Sequence, residues 1–326
     1  MMVLALRLGL VALTCLLVVC QARSEEKLIY PNHTVRMIVP FAAGGPADVI
    51  ARLLAQLLNQ SLGKPFVVEN HPGAGGNLGI GLVAQAAPDG HTVLVVTSSL
   101  VVNPSLYAKV PYDIYNDLAP VTLAAVSSIV LVAHPSLQVN SVKELVERMR
   151  GVSKGAIASP GTGTTGHLAA ETFKRALNLD LVHVPFNGAA PTLTAVLAGH
   201  VPLALVAAPS AAPHLKQGTL RALAVTSEKR TAVLPDVPTM AEAGVPGDQV
   251  SEVMVGILVQ GRTPRATVDT LQRQISHLMA QPDIKQKLDD MGFEAVADTP
   301  DQFAGRIKIE VPKWAKVIRD AKIEMQ

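Results

Sequence analysis

The sequence predicts an α/β fold of mostly parallel strands in two domains. Three observations carry the prediction. Short β-rich runs alternate with helical patterns along the chain, two of the strands end in glycine turns that open directly into helices, and 326 residues exceed what one hydrophobic core ordinarily organises.

Residues 1–24 read as a secretory signal peptide that is cleaved. A single charge, Arg7, precedes an apolar run over 8–20, and the small-residue pattern Ala22-Arg23-Ser24 follows. The apolar core, about 13 residues, is short of the roughly 20 that a spanning helix needs. Val19 is bulkier than the small residue expected before a lipidated cysteine at Cys20. Both cysteines, Cys15 and Cys20, lie in this segment, so the exported chain is expected to fold without disulfides, as a soluble monomer held by its core. Losing Arg7 and Arg23 from 28 basic residues balances the 26 acidic ones. Nucleic acid is not an expected partner, because basic clusters and stacking aromatics are missing and the chain has one tryptophan.

The first strand is expected at 35–39, an apolar run. Gly44 and Gly45 permit a tight turn, Pro46 suits the first helical position, and Val49, Ile50, Leu53, Leu54, Leu57 and Leu58 keep a helical period. Further strands are expected at 66–69, 92–96, 118–121, 128–133, 156–158, 181–184, 203–206, 222–225 and 253–259. The clearest later helices are 142–150, 167–177, 190–198, 265–280 and 302–321. Loop-rich segments at 103–115 and 226–247 suit domain crossings, which divides the chain into one domain of 31–105 with 228–326 and another of 106–227.

The junction from Val35 to Arg52 is an anion site in physical terms, because first-turn N–H groups point into the turn with the positive end of the helix dipole behind them. No Gly-Lys-Ser/Thr follows the glycines, which excludes a nucleotide P-loop. A second junction runs from Ala156 to Ala170. Its Gly161, Gly163 and Gly166 match G-x-G-x-x-G, but Asp180 precedes the next strand and does not end it, which argues against a dinucleotide. Ser159, Thr162, Thr164 and Thr165 add hydroxyl donors there. Two such junctions on two domains suggest a cleft that holds an anion between opposed helix ends.

Six segments in order carry a specific resemblance: Ile38-Val-Pro-Phe-Ala-Ala-Gly-Gly-Pro-Ala-Asp48, Val68-Glu-Asn-His-Pro-Gly-Ala-Gly-Gly-Asn77, Ala87-Pro-Asp-Gly-His91, Gly161-Thr-Gly-Thr-Thr-Gly-His167, His183-Val-Pro-Phe-Asn-Gly-Ala-Ala-Pro191 and the run from Leu234 to Pro246. The chain resembles periplasmic substrate-binding proteins of the tripartite tricarboxylate transporter system, the Bug family. The resemblance implies a hinged two-domain clamp of the periplasmic-binding-protein kind, without catalysis or cofactor. It would bind a small organic acid, a di- or tricarboxylate or an aromatic carboxylate, and deliver it to a membrane permease. A signalling partner is the alternative, and an enzyme on the same scaffold a more distant one.

Carried residue by residue, the resemblance implies that Phe41, Ala42, Ala43 and Gly44 hold the carboxylate from one domain and Ser159, Gly163, Thr164 and Thr165 from the other. Gly75, Gly76, Thr97, Ser98, Asn187 and Gly188 would complete the wall, with Asp48 and Ala207 beside it. Asp48 also suits the helix dipole. Ala207-Ala208-Pro209-Ser210 and Val253-Met254-Val255 depart from the family by offering no acid, amide or aromatic group, which disfavours an amino-acid ligand. The nine histidines show no metal-ligand spacing, so no metal is expected. Ser159 with His167 or His183 could pair as nucleophile and base, yet no G-x-S-x-G elbow is present.

Overall fold

The computed structural model describes residues 30–150, 155–247, 251–320 and 323–324, and the expected signal segment with both cysteines lies outside them. Strand β1 (Val35–Val39) buries every residue but Arg36. Helix α1 (Pro46–Leu62) starts at Pro46 and turns Ile50, Leu54 and Leu58 into the core. It stops at Gly63, whose φ of 65° and N–H bond to Asn59 O form a left-handed cap. Strand β2 (Phe66–Asn70), helix α2 (Asn77–Ala84), strand β3 (Thr92–Val96) and helix α3 (Ser99–Leu106) follow. Both β2 and β3 pair in parallel with β1, giving one lobe the order β2-β1-β3.

The long strand β4 (Leu118–Ala133) leads into the second lobe. There α4 (Val142–Met149), β5 (Gly155–Ser159), α5 (Thr165–Ala176), β6 (Leu181–Pro185), α6 (Ala189–Leu197), β7 (Leu203–Ala207), α7 (Ala208–Lys216) and β8 (Arg221–Val225) build a parallel β7-β5-β6 sheet with helices. The chain returns through β9 (Glu252–Gln260), α8 (Arg265–Met279), α9 (Pro282–Asp290), β10 (Glu294–Ala295) and α10 (Pro300–Asp320). Helix α10 seals the first lobe with Phe303, Ile307, Trp314 and Ile318. Gly256 is required under it, since a Cβ there would lie 2.4 Å from Phe303 Cζ.

The strands form one path, β2-β1-β3-β9-β4-β7-β5-β6, with β8 and β10 also on β4. The expected parallel pairing holds inside each lobe, and the strands that join the lobes run antiparallel. From Leu118 to Ser128 β4 pairs with β9, whereas from Ile129 to Ala133 it pairs with β7 and β8. The two strands expected at 118–121 and 128–133 are therefore one. Register shifts between Pro120 and Thr122 and between Leu123 and Ala125 absorb the proline and the alanines that disguise it. Helices α2, α3, α7 and α9 were not among the expected elements. Each has eight or nine residues, and Pro104 in α3 and Pro213 in α7 break the sequence signal of a helix. The result is a two-lobed α/β clamp with every parallel strand aiming its C-terminal end at the space between the lobes. No helix among the described residues is long and apolar enough to cross a membrane.

Candidate functional site

The lobes meet where those strand ends face one another. Ala42 N–H donates to Asn187 O at 3.4 Å, and Ser210 Oγ donates to Gly44 O at 3.4 Å, each bond crossing between lobes. A Cβ at Gly163 would sit 2.3 Å from Asn103 Oδ1, and one at Gly75 would sit 2.6 Å from Thr162 O. The clamp is therefore closed on glycine contacts.

Between the lobes lies a small cavity of about 40 Å³. Phe41, Pro46, Ala47, Pro160, Ala189, Ala207 and Val253 make its wall largely apolar. Three helices start at it. In α1 the first N–H to bond back is Val49, to Gly45 O at 3.0 Å, which leaves those of Ala47 and Asp48 without an intrahelical acceptor. In α5 the Thr164 hydroxyl caps His167 N–H at 3.3 Å, and Thr165 and Gly166 N–H stay open. Helix α6 begins at Ala189 after an uncapped Gly188. Three positive dipole ends and their unbonded N–H groups thus face one small space, the condition for holding an anion. The hydroxyl of Thr165 adds a side-chain donor, since Oγ1 is buried without a partner in a residue only 2% exposed.

Of the residues named from sequence, Phe41, Asp48, Thr97, Thr164, Thr165, Gly188 and Ala207 line this cavity. Gly75, Gly76 and Asn187 line an adjoining one of about 220 Å³ that also takes in Phe41 and Tyr107. Ala42, Ala43, Gly44, Ser98, Ser159 and Gly163 line neither. Gly44 N–H is already spent on Asp48 Oδ2 at 2.9 Å, and Gly163 N–H on His167 Nδ1 at 3.3 Å. Ser98 Oγ donates to Glu252 O at 3.2 Å and accepts from Met254 N–H at 3.0 Å, so it pins α3 to β9 and does not face the cleft. The open α1 donors are the first-turn N–H groups of Ala47 and Asp48, just beyond the loop 41–44 that the resemblance implied. Gly45, Pro46, Ala47, Pro160, Gly166, Ala189 and Val253 line the cavity unannounced. A helix-start signal at Pro46 and at Gly188-Ala-Ala-Pro191 could have found four of them.

Asp48 lines the cavity but offers it no unpaired charge. Arg52 holds the carboxylate with Nε and Nη2, both at 2.9 Å, and Asn70 Nδ2 donates to it at 3.0 Å. Burial pushes its pKa upward, but Arg52, Gly44 N–H and Asn70 together outweigh that and keep it below the usual value.

Behind the second loop stand a buried imidazole, His167, and a partly buried one, His183. His167 and His183 stack with centroids 4.2 Å apart, and Ser159 Oγ lies 2.7 Å from His183 Nε2. Burial lowers both to about 4, aided for His167 by Lys174 and for His183 by His167. Ser159 is fully buried, so this nucleophile-and-base pairing has no access to the cavity. Glu171 joins the two histidines, and Asp89 joins His33 and His91, in groups that sequence spacing did not reveal. Their rings stack nearly parallel, at 24° and 7°, which directs in-plane lone pairs side by side instead of toward one metal.

The family model for the tripartite tricarboxylate transporter family receptor matches residues 50–323. Protein BugT of Bordetella pertussis is 36% identical over 294 residues, 89% of this chain and 90% of that protein. An R. palustris protein with adipate superposes with a TM-score of 0.88 at 32% identity, over 91% of this chain and all of the other. The MatC protein of Rhodopseudomonas palustris with bound malate gives 0.83 at 31% identity, over 89% of this chain and all of the other.

Proposed function

Because the chain belongs to the tripartite tricarboxylate transporter receptor family, we propose that it is a periplasmic solute receptor that closes over a small organic carboxylate and hands it, unchanged, to a membrane permease. Thr165 carries the ligand class. Its buried, unpartnered hydroxyl stands among the open first-turn N–H groups of three helices, a set of donors with no carboxylate free among them. Adipate and malate, the ligands of two similar structures, are dicarboxylates without an amino group. An ammonium in this cavity would meet no unpaired carboxylate, because the one lining acid, Asp48, is saturated. The inaccessible Ser159 supports binding without turnover.

The lobes turn about β4 and β9 in this reading. With the turning point there, the second lobe would begin near Ile129, where β4 changes partners from β9 to β7, and not at 106. The opposed loops, 41–48 from one lobe and 159–166 with 187–189 from the other, then close on the carboxylate from two sides.

Thermal unfolding with a panel of carboxylates tests the reading. A ligand at about 100 times its Kd is expected to add roughly 2.7 kcal/mol. Succinate should bind at least ~10-fold more tightly than aspartate, about 1.4 kcal/mol. No shift for any carboxylate, or tighter binding of the amino acid by calorimetry, counts against it.

Thr165→Val separates ligand binding from folding. The hydroxyl has no internal partner to lose, so stability in denaturant should hold or rise slightly. Affinity for the same carboxylate should drop ~10-fold or more, in line with the roughly 1.5–3 kcal/mol of a hydrogen bond to a charged group. Unchanged affinity in this variant would place the carboxylate elsewhere.

A further inference from the structure

On the opposite face of the hinge strands lies a groove of about 700 Å³ that shares no lining residue with the ligand cavity. Alternation along β9 separates the two sites: Val253 lines the cavity, while Glu252 and Met254 line the groove. Four residues on the groove wall, Ser127, Ser128, Ser251 and Trp314, are more than nine-tenths buried and carry a polar atom with no hydrogen-bond partner. Native proteins rarely leave such atoms orphaned, and four in one groove point to something that satisfies them.

The charges around them are unequally matched. Arg306 Nε donates to Glu310 Oε1 at 2.9 Å while Lys313 Nζ lies 3.5 Å from Glu310 Oε2, so two cations share one buried carboxylate. Lys313 also stands 5.5 Å from the centre of the Trp314 ring. The carboxylate of Glu252 makes no ion pair or side-chain hydrogen bond among the described residues. Burial raises its pKa, opposed by Arg306 and Lys313 and reinforced by Glu294 and Glu228. The groove thus sets Arg306 and Lys313 beside an indole donor on one side and the carboxylate of Glu252, with Glu228 and Glu294 near it, on the other.

We propose that this groove is a second binding site, for a small zwitterion whose ammonium meets Glu252 and the serine hydroxyls and whose carboxylate meets Trp314 Nε1–H between Arg306 and Lys313. The selectivity is the reverse of that of the cavity between the lobes, where an ammonium finds no unpaired carboxylate.

Trp314 is the only tryptophan of the chain and so reports this groove alone. The test titrates glycine, L-serine and L-glutamine into the full mature protein, following Trp314 fluorescence and the indole N–H resonance, with acetate and ethylammonium as half-molecule controls. At least one amino acid should give a saturable change, with each half-molecule ~10-fold weaker or more. Glu252→Gln should weaken that binding ~10-fold or more, as should Lys313→Gln, a change at a half-exposed helix position that the fold tolerates. Thr165→Val should leave it unaltered, which keeps this outcome distinct from that of the carboxylate site. The proposal is overturned if no amino acid perturbs Trp314 up to about 10 mM, ten times a weak Kd of about 1 mM. Acetate alone matching the amino acids, or natively folded Glu252→Gln binding as tightly as the wild type, overturns it equally.

Discussion

Gly163→Ala is expected to abolish carboxylate binding while leaving the protein folded. The added Cβ would lie 2.3 Å from Asn103 Oδ1 and 3.3 Å from Leu106 Cδ2, both on the other lobe. Asn103 cannot retreat. It is fully buried, and its Nδ2 donates to Gly75 O at 3.0 Å and to Asn77 Oδ1 at 2.8 Å. The clash therefore exists only in the closed clamp and is relieved by opening it, so each lobe can keep its own core. Alanine at the φ of +82° adds about 1–2 kcal/mol of local strain, which a marginal protein survives. Holding the lobes apart removes one lobe's donors from the ligand, and about 3 kcal/mol forfeited corresponds to more than ~100-fold in Kd. Calorimetry with the best carboxylate, on variant protein with native circular dichroism, reads the result. A folded Gly163→Ala protein that binds as tightly as wild type would show that closure does not bring Gly163 against Asn103.

The same residue shows what the sequence makes legible. Glycine turns between a buried strand and a helix are local patterns, so the junctions after β1 and β5 could be read from spacing alone, as could most strands to within a residue or two. Which N–H groups a turn leaves open is not local. Gly44 N–H is consumed by a carboxylate four residues on that Arg52 and Asn70 hold in place, and Gly163 N–H by an imidazole whose orientation depends on stacking with His183 from another strand. The open donors of α1 therefore lie at Ala47 and Asp48. The hinge was hidden for a related reason. Thr122 to Ser127, with two adjacent alanines, reads as no element until β9 supplies a partner, and the change of partners after Ser128 is what suggests the proposed lobe boundary. Pro104 and Pro213 concealed two short helices that packing stabilises in spite of them.

Acidification is expected to weaken the fold between about pH 6.5 and 4 through the imidazole pair behind the second loop. Both rings are held neutral, with pKa values of about 4 against an ordinary 6.5. In that window the unfolded chain binds protons that the folded chain refuses, so stability falls as pH falls. Above pH 6.5 neither state is protonated at these sites and the full stability is present; below about 4 the folded state takes up the protons too and the loss levels off. For His167, which is 5% exposed, the loss is on the order of 3 kcal/mol. His183 is less buried and adds less, because solvent screens it. Glu171 and Lys174, the charged groups beside the pair, are bound to each other at 2.8 Å, and burial of the rings outweighs the lysine's repulsion. The acid loss from Glu69, held near 2 by Arg36 against a usual 4.5, comes lower on the pH scale and does not overlap the upper part of this window. Asparagine at 167 places an oxygen near the position of Nδ1, which can still accept Gly163 N–H but does not titrate. Urea unfolding of wild type and His167→Asn at closely spaced pH values should therefore show a shallower acid limb in the variant, by about one proton per molecule near pH 5. Equal slopes in the two proteins would mean that His167 is protonated in the folded state and that the second loop is held by something other than a neutral imidazole.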